Sequence, residues 1–299
     1  MNKAESAALE QLLIARGWDE SAYAETADLV VINTCSVRIT AETRIYGRLG
    51  WYSALKKERN GEKITTHHKT NRSCKVPVKK LTVVVTGCMA ERLKDSLQKD
   101  FPVVDYVVGT FKKQHFQDII DALEQNREII NLEENSVYSF APLSYEQGEF
   151  QSFVPIMHGC NNFCSYCIVP FVRGKVKSRP IYEIVEEIKN IIEKSVCEVV
   201  LTGINLGSYG IDIGTSLKDL IKAISEIPGL IRLRLSSIEA LYVDDELLEA
   251  LSLCKCFCPC FHIPLQSGSS SVLAAMNRPY NYQVYKDCID KIYSIWSNA

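Results

Sequence analysis

No stretch of this chain approaches the run of about eighteen apolar residues that a membrane-crossing helix requires. The amphipathic start, Met1 to Arg16, is charged where a secretory signal would carry an apolar core. A cytoplasmic protein is therefore expected, with no membrane partner. An excess of one charge is lacking too. Lys and Arg number 34 against 36 Asp and Glu, for a formal charge of -2, so any RNA contact has to come from local patches rather than from the chain as a whole. In a reducing compartment the 12 cysteines argue for metal ligands and buried thiols and against a disulfide framework. The rest of the composition, 46% hydrophobic and 23% charged over 299 residues, is that of a globular chain long enough for two domains.

What the chain does have is a loop crowded with thiols. Gly159-Cys160-Asn161-Asn162-Phe163-Cys164-Ser165-Tyr166-Cys167 follows the apolar run Phe153 to Met157 and spaces its cysteines C-x3-C-x2-C. A structural zinc site takes four ligands, and no fourth Cys or well-spaced His follows; His158 abuts Cys160 and has poor reach. An iron-sulfur cubane fits better, because three thiolates hold three irons and leave the fourth open to a small molecule. Ordinary buried thiols do not usually gather in an Asn- and Ser-rich loop.

Around this loop the chain alternates strand and helix. Met1 to Arg16 has helical spacing with Gly17 as a stop. Leu29 to Ile32 runs into Asn33-Thr34-Cys35 and then a helix to about Leu49; Leu81 to Val85 runs into Thr86-Gly87-Cys88-Met89 and another helix. In a parallel sheet both thiols fall at the carboxyl edge, where open α/β sheets bind ligands. Further strands are expected at Val103 to Val108 and Ile129 to Leu132, with a helix at Lys112 to Glu124 between them. Residues 54 to 80 hold nine Lys and Arg with His67, His68 and Cys74. They read as a loop, either an arm for RNA phosphate or a solvated insertion. Residues 1–134 form the first domain, 135–152 a linker and 153–299 the second domain. Four strand-helix units of a (β/α) barrel follow, with strands at Phe153 to Met157, Glu198 to Leu201, Leu230 to Leu235 and Cys260 to Leu265, and the active site at their carboxyl ends. The fold class is α/β throughout. Cys254, Cys256, Cys258 and Cys260 alternate; on a strand they spread along one face, and only a bend at Pro259 would gather them. Arg173, Lys175, Lys177 and Arg179 also alternate, as a solvated basic strand or as partners for cofactor or RNA charge.

The run Met157-His158-Gly159-Cys160 through Cys167-Ile168-Val169-Pro170-Phe171-Val172-Arg173-Gly174 to Ser178-Arg179-Pro180 resembles the radical S-adenosylmethionine (SAM) methylthiotransferases, and the resemblance extends over nearly the whole chain. It implies two [4Fe-4S] clusters and SAM. Cys160, Cys164 and Cys167 would carry the cluster that binds SAM and cleaves it to a deoxyadenosyl radical. Cys35 and Cys88 would carry the second, sulfur-donating cluster, with a third cysteine from a strand and loop that precede this helix in the family. Gly203 and Asn205 resemble the segment that meets the SAM amino group, and Ser237, Glu239 and Gln266 resemble polar contacts to SAM. The implied partners are a tRNA anticodon loop, a sulfur donor, and an electron donor such as flavodoxin or ferredoxin. Asn33-Thr34-Cys35-Ser36-Val37-Arg38 favours the branch of the family that methylthiolates C2 of N6-isopentenyladenosine next to the anticodon. The alternatives are a threonylcarbamoyl-adenosine tRNA, a ribosomal-protein aspartate, or an inactive cluster-binding fragment. Against the family, the chain is expected to lack its first strand, its last barrel units and a small RNA-binding β domain.

Overall fold

The computed structural model describes residues 2–36, 39–61, 80–127, 138–140 and 149–299. Contacts divide the chain into two compact units, one of residues 12–139 with Asn2, the other of residues 3–11 and 140–299. Each has a hydrophobic core of its own.

Helix α1 (Asn2–Ala15), of which residues 3–11 group with the second unit and the rest with the first, ends where the sequence puts its glycine. Gly17 takes φ 81°, and the N–H groups of Gly17 and Trp18 close on Ile14 and Leu13 carbonyls at 2.9 and 3.1 Å, so orphan carbonyls of the last turn are satisfied. There follow β1 (Leu29–Thr34), α2 (Ile39–Arg59), β2 (Thr82–Gly87), α3 (Cys88–Leu93), α4 (Asp95–Asp100), β3 (Tyr106–Val108), a 3-10 turn at Thr110–His115, and α5 (Phe116–Glu124). The three strands form one parallel sheet in the order β1-β2-β3. Helix α2 runs about ten residues past its expected end near Leu49, because Leu49, Tyr52 and Leu55 recur on one face and are buried in the core. The extension takes in residues 54–59 of the expected basic loop. Lys56 donates to the Val103 carbonyl and pairs with Asp105 at 2.5 Å, and Arg59 donates to the Ala24 and Glu25 carbonyls. The rest of that loop from residue 62 to 79, with Cys74, and the expected strand at Ile129 to Leu132 lie outside the described residues.

The second unit contains β4 (Gln151–Pro155), β5 (Met157–His158), α6 (Val169–Arg173), β6 (Lys177–Ser178), α7 (Ile181–Glu193), β7 (Glu198–Thr202), α8 (Leu217–Ser225), β8 (Arg232–Leu235), α9 (Asp245–Leu253), α10 (Ser270–Ala275) and α11 (Tyr282–Ile295). Strands β4, β7 and β8 are parallel neighbours in that order, and β5 pairs antiparallel with β6. Ile184, Ile188 and Ile191 on α7 and Leu217, Leu220, Ile221 and Ile224 on α8 supply much of the core over this sheet, as their helical spacing predicts. The expected fourth strand at Cys260 to Leu265 is reduced to one isolated parallel bridge, Ser237 with His262, and a second, Leu233 with Phe257, lies just before it. Pro259 and Pro264 have no N–H to give to a ladder. The Cys260 N–H turns back onto the Cys258 carbonyl at 2.7 Å.

The alternating basic run is not a solvated strand. Arg173 closes α6 and lies buried against Glu5 at 2.9 Å, with the His158 Nδ1 at 3.3 Å from its guanidinium. Arg179 is buried against Glu187 at 2.5 Å and the Pro155 carbonyl at 2.9 Å. Only Lys175 and Lys177 face solvent. Among the described residues no helix is long and apolar enough to cross a membrane.

Candidate metal centre and SAM site

The three loop cysteines leave the carboxyl side of β4 and β5, and the loop is shaped by residues that cannot be exchanged freely. Gly159 takes φ 74°, and a Cβ there would strike the carbonyl oxygens of Lys175 and Gly174. An alanine would bear about 1–2 kcal/mol for its left-handed backbone alone, before the collision is counted. Gly159→Ala is expected to lower the thermal midpoint and to reduce iron retained after anaerobic reconstitution. A variant with the wild-type midpoint and iron content would show that the close approach is dispensable.

From its far side the loop is pinned to the end of α10. The Ser165 N–H donates to the Met276 carbonyl at 3.1 Å and its hydroxyl to the Ala275 carbonyl at 3.2 Å. Asn277, at φ 55° just past the helix, donates its Nδ2 to the Phe163 carbonyl at 3.1 Å. Next to it, Arg278 bonds the Glu239 carboxylate at 2.6 Å and the Tyr166 hydroxyl at 2.7 Å. The other Glu239 oxygen accepts from Asn162 Nδ2 at 3.0 Å. Asn162, Tyr166, Asn277 and Arg278 thus join residues from the loop, from the end of β8 and from the end of α10.

The thiols at the centre of this network interact with one another and with its charges. Burial pushes the Cys160 thiol up, opposed by the Asn162 N–H, with Glu239, Cys164 and Cys167 adding to the rise. Burial likewise raises Cys164, against the Arg278 cation, with Glu239 raising it further. Thiolates at Cys160 and Cys164 therefore need a positive partner to form. Among the described residues no three His, Cys, Asp or Glu side chains converge to hold a single metal ion. A cubane makes no such demand, since it spreads its thiolates over separate irons. His158, two residues before Cys160, is buried beside Arg173.

The other expected site residues are placed as follows. Gly203 lies against Met157: a Cβ would come within 2.7 Å of its Cγ, and the Met157 sulfur accepts from the N–H groups of Ile204 and Asn205 at 3.2 and 3.3 Å. Asn205 is buried; its Nδ2 donates to Ser208 at 2.9 Å while its Oδ1 has no partner among the described residues. Ser237 bonds the His262 Nδ1 at 2.6 Å. Gln266 is exposed at φ 64°. In the other unit, Cys35 and Cys88 each stand one residue beyond the register pair Thr34 with Gly87, on adjacent parallel strands. Cys88 is buried and Cys35 half-buried. The Asn2 carbonyl, at the start of α1, accepts from Asn33 at this same edge.

Residues 154–297, which contain the thiol loop and its whole network, match the family model described as the radical SAM superfamily. Residues 154–297 are thus a radical SAM domain. Residues 1–109 match a second model, the uncharacterized protein family UPF0004. Among curated proteins, the tRNA-2-methylthio-N(6)-dimethylallyladenosine synthase of Treponema denticola is 41% identical over 98% of this chain and 64% of its own length. The proteins of that name from Dictyoglomus thermophilum and Clostridium botulinum are 37% and 33% identical, over 98% and 100% of this chain and 63% and 64% of theirs. The chain thus spans just under two thirds of these relatives. Among solved structures, the radical SAM methyltransferase TsrM from Kitasatospora setae, with cobalamin and a [4Fe-4S] cluster bound, superposes with a TM-score of 0.65 at 14% identity, over 98% of this chain and 63% of that one. The cobalamin-dependent radical SAM enzyme OxsB gives 0.59 at 10%, over 96% and 41%. At such identities these two speak for the fold alone.

A radical SAM domain implies a [4Fe-4S] cluster and SAM, and the residues fit them. Three thiols share one loop, the Arg278 cation lies beside them to offset thiolate charge, and the buried Asn205 oxygen is an acceptor suited to an ammonium group. The partners of such a centre typically contribute about 10–100-fold in metal affinity or activity. Arg278→Ala is expected to cost that much in cluster retention, read as iron and acid-labile sulfide per chain, with Arg278→Lys recovering part of it. Full retention in the alanine variant would show the network to be incidental.

Proposed function

We propose that this chain is the radical SAM and UPF0004 portion of a cytoplasmic tRNA methylthiotransferase that acts at C2 of N6-isopentenyladenosine next to the anticodon. The reading is carried by the thiol loop Cys160, Cys164 and Cys167 in a chain 41% identical to a synthase of that name. Those three thiols would hold one cluster, with Asn205 and Gly203 beside SAM and with Ser237, Glu239 and Gln266 at the strand ends as its further polar surroundings. Cys35 and Cys88, side by side at a sheet edge, would contribute to a second cluster that presents sulfur. When bound, these groups supply one-electron chemistry able to break an unactivated aromatic C–H bond, which side-chain acid and base groups cannot do.

The protein's own part is to hold, orient and shield. Gly159 and the Asn277–Arg278 turn fix the loop, and the core around Met157 excludes water beneath it. The loop's outer side carries Phe163 and Phe171, edge to face at 6.0 Å, with Phe171 74% exposed, close in sequence to the exposed Lys175 and Lys177. Aromatic faces near cations suit unstacked bases and phosphates of an RNA loop. An electron donor such as flavodoxin or ferredoxin and a sulfur donor complete the requirements.

Nucleoside mass spectrometry tests the substrate. In tRNA from a strain deleted for this gene, 2-methylthio-N6-isopentenyladenosine is expected to disappear and its unmethylthiolated precursor to accumulate. An unchanged nucleoside profile would overturn the assignment, and loss of a methylthiolated threonylcarbamoyl-adenosine would redirect it.

A further inference from the structure

The alternating cysteines 254 to 260 take no part in the site above, and their geometry separates them into two kinds. Cys258 and Cys260 each lie beside a guanidinium, Arg232 at 3.4 Å and Arg234 at 3.7 Å, and both arginines are held by Glu198. Cys254 and Cys256 instead face each other, sulfur to sulfur at 3.4 Å. Cys254 is buried at the end of α9 and Cys256 half-buried. The Cys256 carbonyl accepts from the Leu233 N–H at 2.8 Å and the Phe257 N–H returns to the Cys254 carbonyl at 2.9 Å, so the backbone holds the pair in a tight turn against β8.

We propose that Cys254 and Cys256 form a dithiol site, separate from either cluster, that is closed to a disulfide by exchange with low-molecular-weight disulfides. The first thiolate attacks the small disulfide, forming a mixed disulfide and releasing one small thiolate. The neighbouring thiolate then attacks the protein sulfur of that mixed disulfide and releases the second. In sum the two protein thiols lose two electrons and two protons, and the small disulfide is reduced to two thiols. Cys256, the more accessible of the two, is the entry point, and Cys254 resolves. The contact between the two sulfurs supplies the proton path for this order: as Cys256 attacks, its S–H proton passes to Cys254, whose pKa that bond lowers to about 7. Cys254 then gives that proton up to solvent and resolves the mixed disulfide as the thiolate, the reactive form.

The test is peptide mapping of the full chain after anaerobic cluster reconstitution and incubation with oxidised glutathione. The expected product is a peptide containing residues 254–260 that has lost two hydrogens, formed equally in a Cys258→Ser/Cys260→Ser variant. In Cys254→Ser the reaction should stop at a glutathione adduct on Cys256. Closure that disappears in the Cys258→Ser/Cys260→Ser variant, or a stable adduct on Cys256 with Cys254 still present, would overturn the assignment. Phenylarsine oxide provides a second readout that needs no variant. A vicinal dithiol exchanges its two S–H protons for one arsenic, with water leaving, so protection of Cys254 and Cys256 together from alkylation is expected; alkylation of both at undiminished rates would count against the pair.

Discussion

Replacing Cys164 with alanine will leave the anaerobically reconstituted protein without its SAM-responsive cluster signal, and deoxyadenosine release will fall to the background of the metal-free chain. The expectation follows from the ligand supply around the loop. Three thiols come from residues 160 to 167, and nothing within the described network is positioned to replace one of them. His158 is buried beside Arg173. Glu239 is bound on both oxygens, by Asn162 and by Arg278, and a carboxylate is in any case a poor ligand for a site that selects soft iron-sulfur chemistry. With two thiolates left, the cubane loses an iron anchor at the end of a half-buried loop. The Cys160 thiol that remains is pushed towards its protonated form by burial, which further weakens it as a ligand. Cys197→Ala is the matched control, since Cys197 lies outside this site with its sulfur directed at the Ser195 carbonyl. Iron analysis, electron paramagnetic resonance with and without SAM, and deoxyadenosine quantitation report the outcome. A Cys164→Ala protein that keeps a SAM-sensitive cubane signal would remove the loop from the centre of the chemistry.

The positions of these thiols were legible in the sequence because they are local. A spacing of C-x3-C-x2-C after an apolar run defines its own loop, and unbroken runs such as Leu81 to Val85 announce buried parallel strands whose ends must carry Cys88 and, one strand over, Cys35. The network that fixes the loop was not legible, for the opposite reason. Arg278 meets Tyr166 across 112 residues of chain and Glu239 across 39, and no periodicity signals such a meeting. Asn277 owes its role to a left-handed turn after α10, a helix of six residues and too short for its apolar spacing to stand out. The basic run from Arg173 to Arg179 shows the same limit. Its alternation is that of a strand, but α6 ends at Arg173 and distant or helix-borne carboxylates, Glu5 and Glu187, draw both arginines inward. Alternation at Cys254 to Cys260 likewise gave the residues without the pairing, which prolines and the neighbouring arginines decide.

Glu187→Ala should be among the most destabilising single changes outside the thiol loop, by about 3–5 kcal/mol, the usual range for removing one partner of a buried ion pair. The side chains of Arg179 and Glu187 are 3% and 1% exposed. Arg179 also donates to the Pro155 carbonyl at 2.9 Å, and its own carbonyl accepts from the Tyr209 hydroxyl at 2.7 Å. The ion pair thus ties the end of β4, the start of α7 and the loop after β7 into one knot directly behind the thiol loop. Without Glu187 a buried guanidinium keeps the Pro155 carbonyl and the Phe140 ring, 5.5 Å from its centre, and the nearest other carboxylate, Glu183, stands 3.8 Å away and has a partly exposed side chain. The unit that holds residues 140–299 should then melt about 10 °C lower, at roughly 2–4 °C per kcal/mol for a domain of this size. Substituting both partners with apolar residues of similar volume, Arg179→Met with Glu187→Leu, should recover much of the loss, because what destabilises the single variant is the stranded charge and not the missing attraction. Calorimetry on the single and double variants separates the two explanations. A double variant as unstable as Glu187→Ala would place the contribution in the hydrogen bonds from Arg179 to the strand end rather than in charge burial.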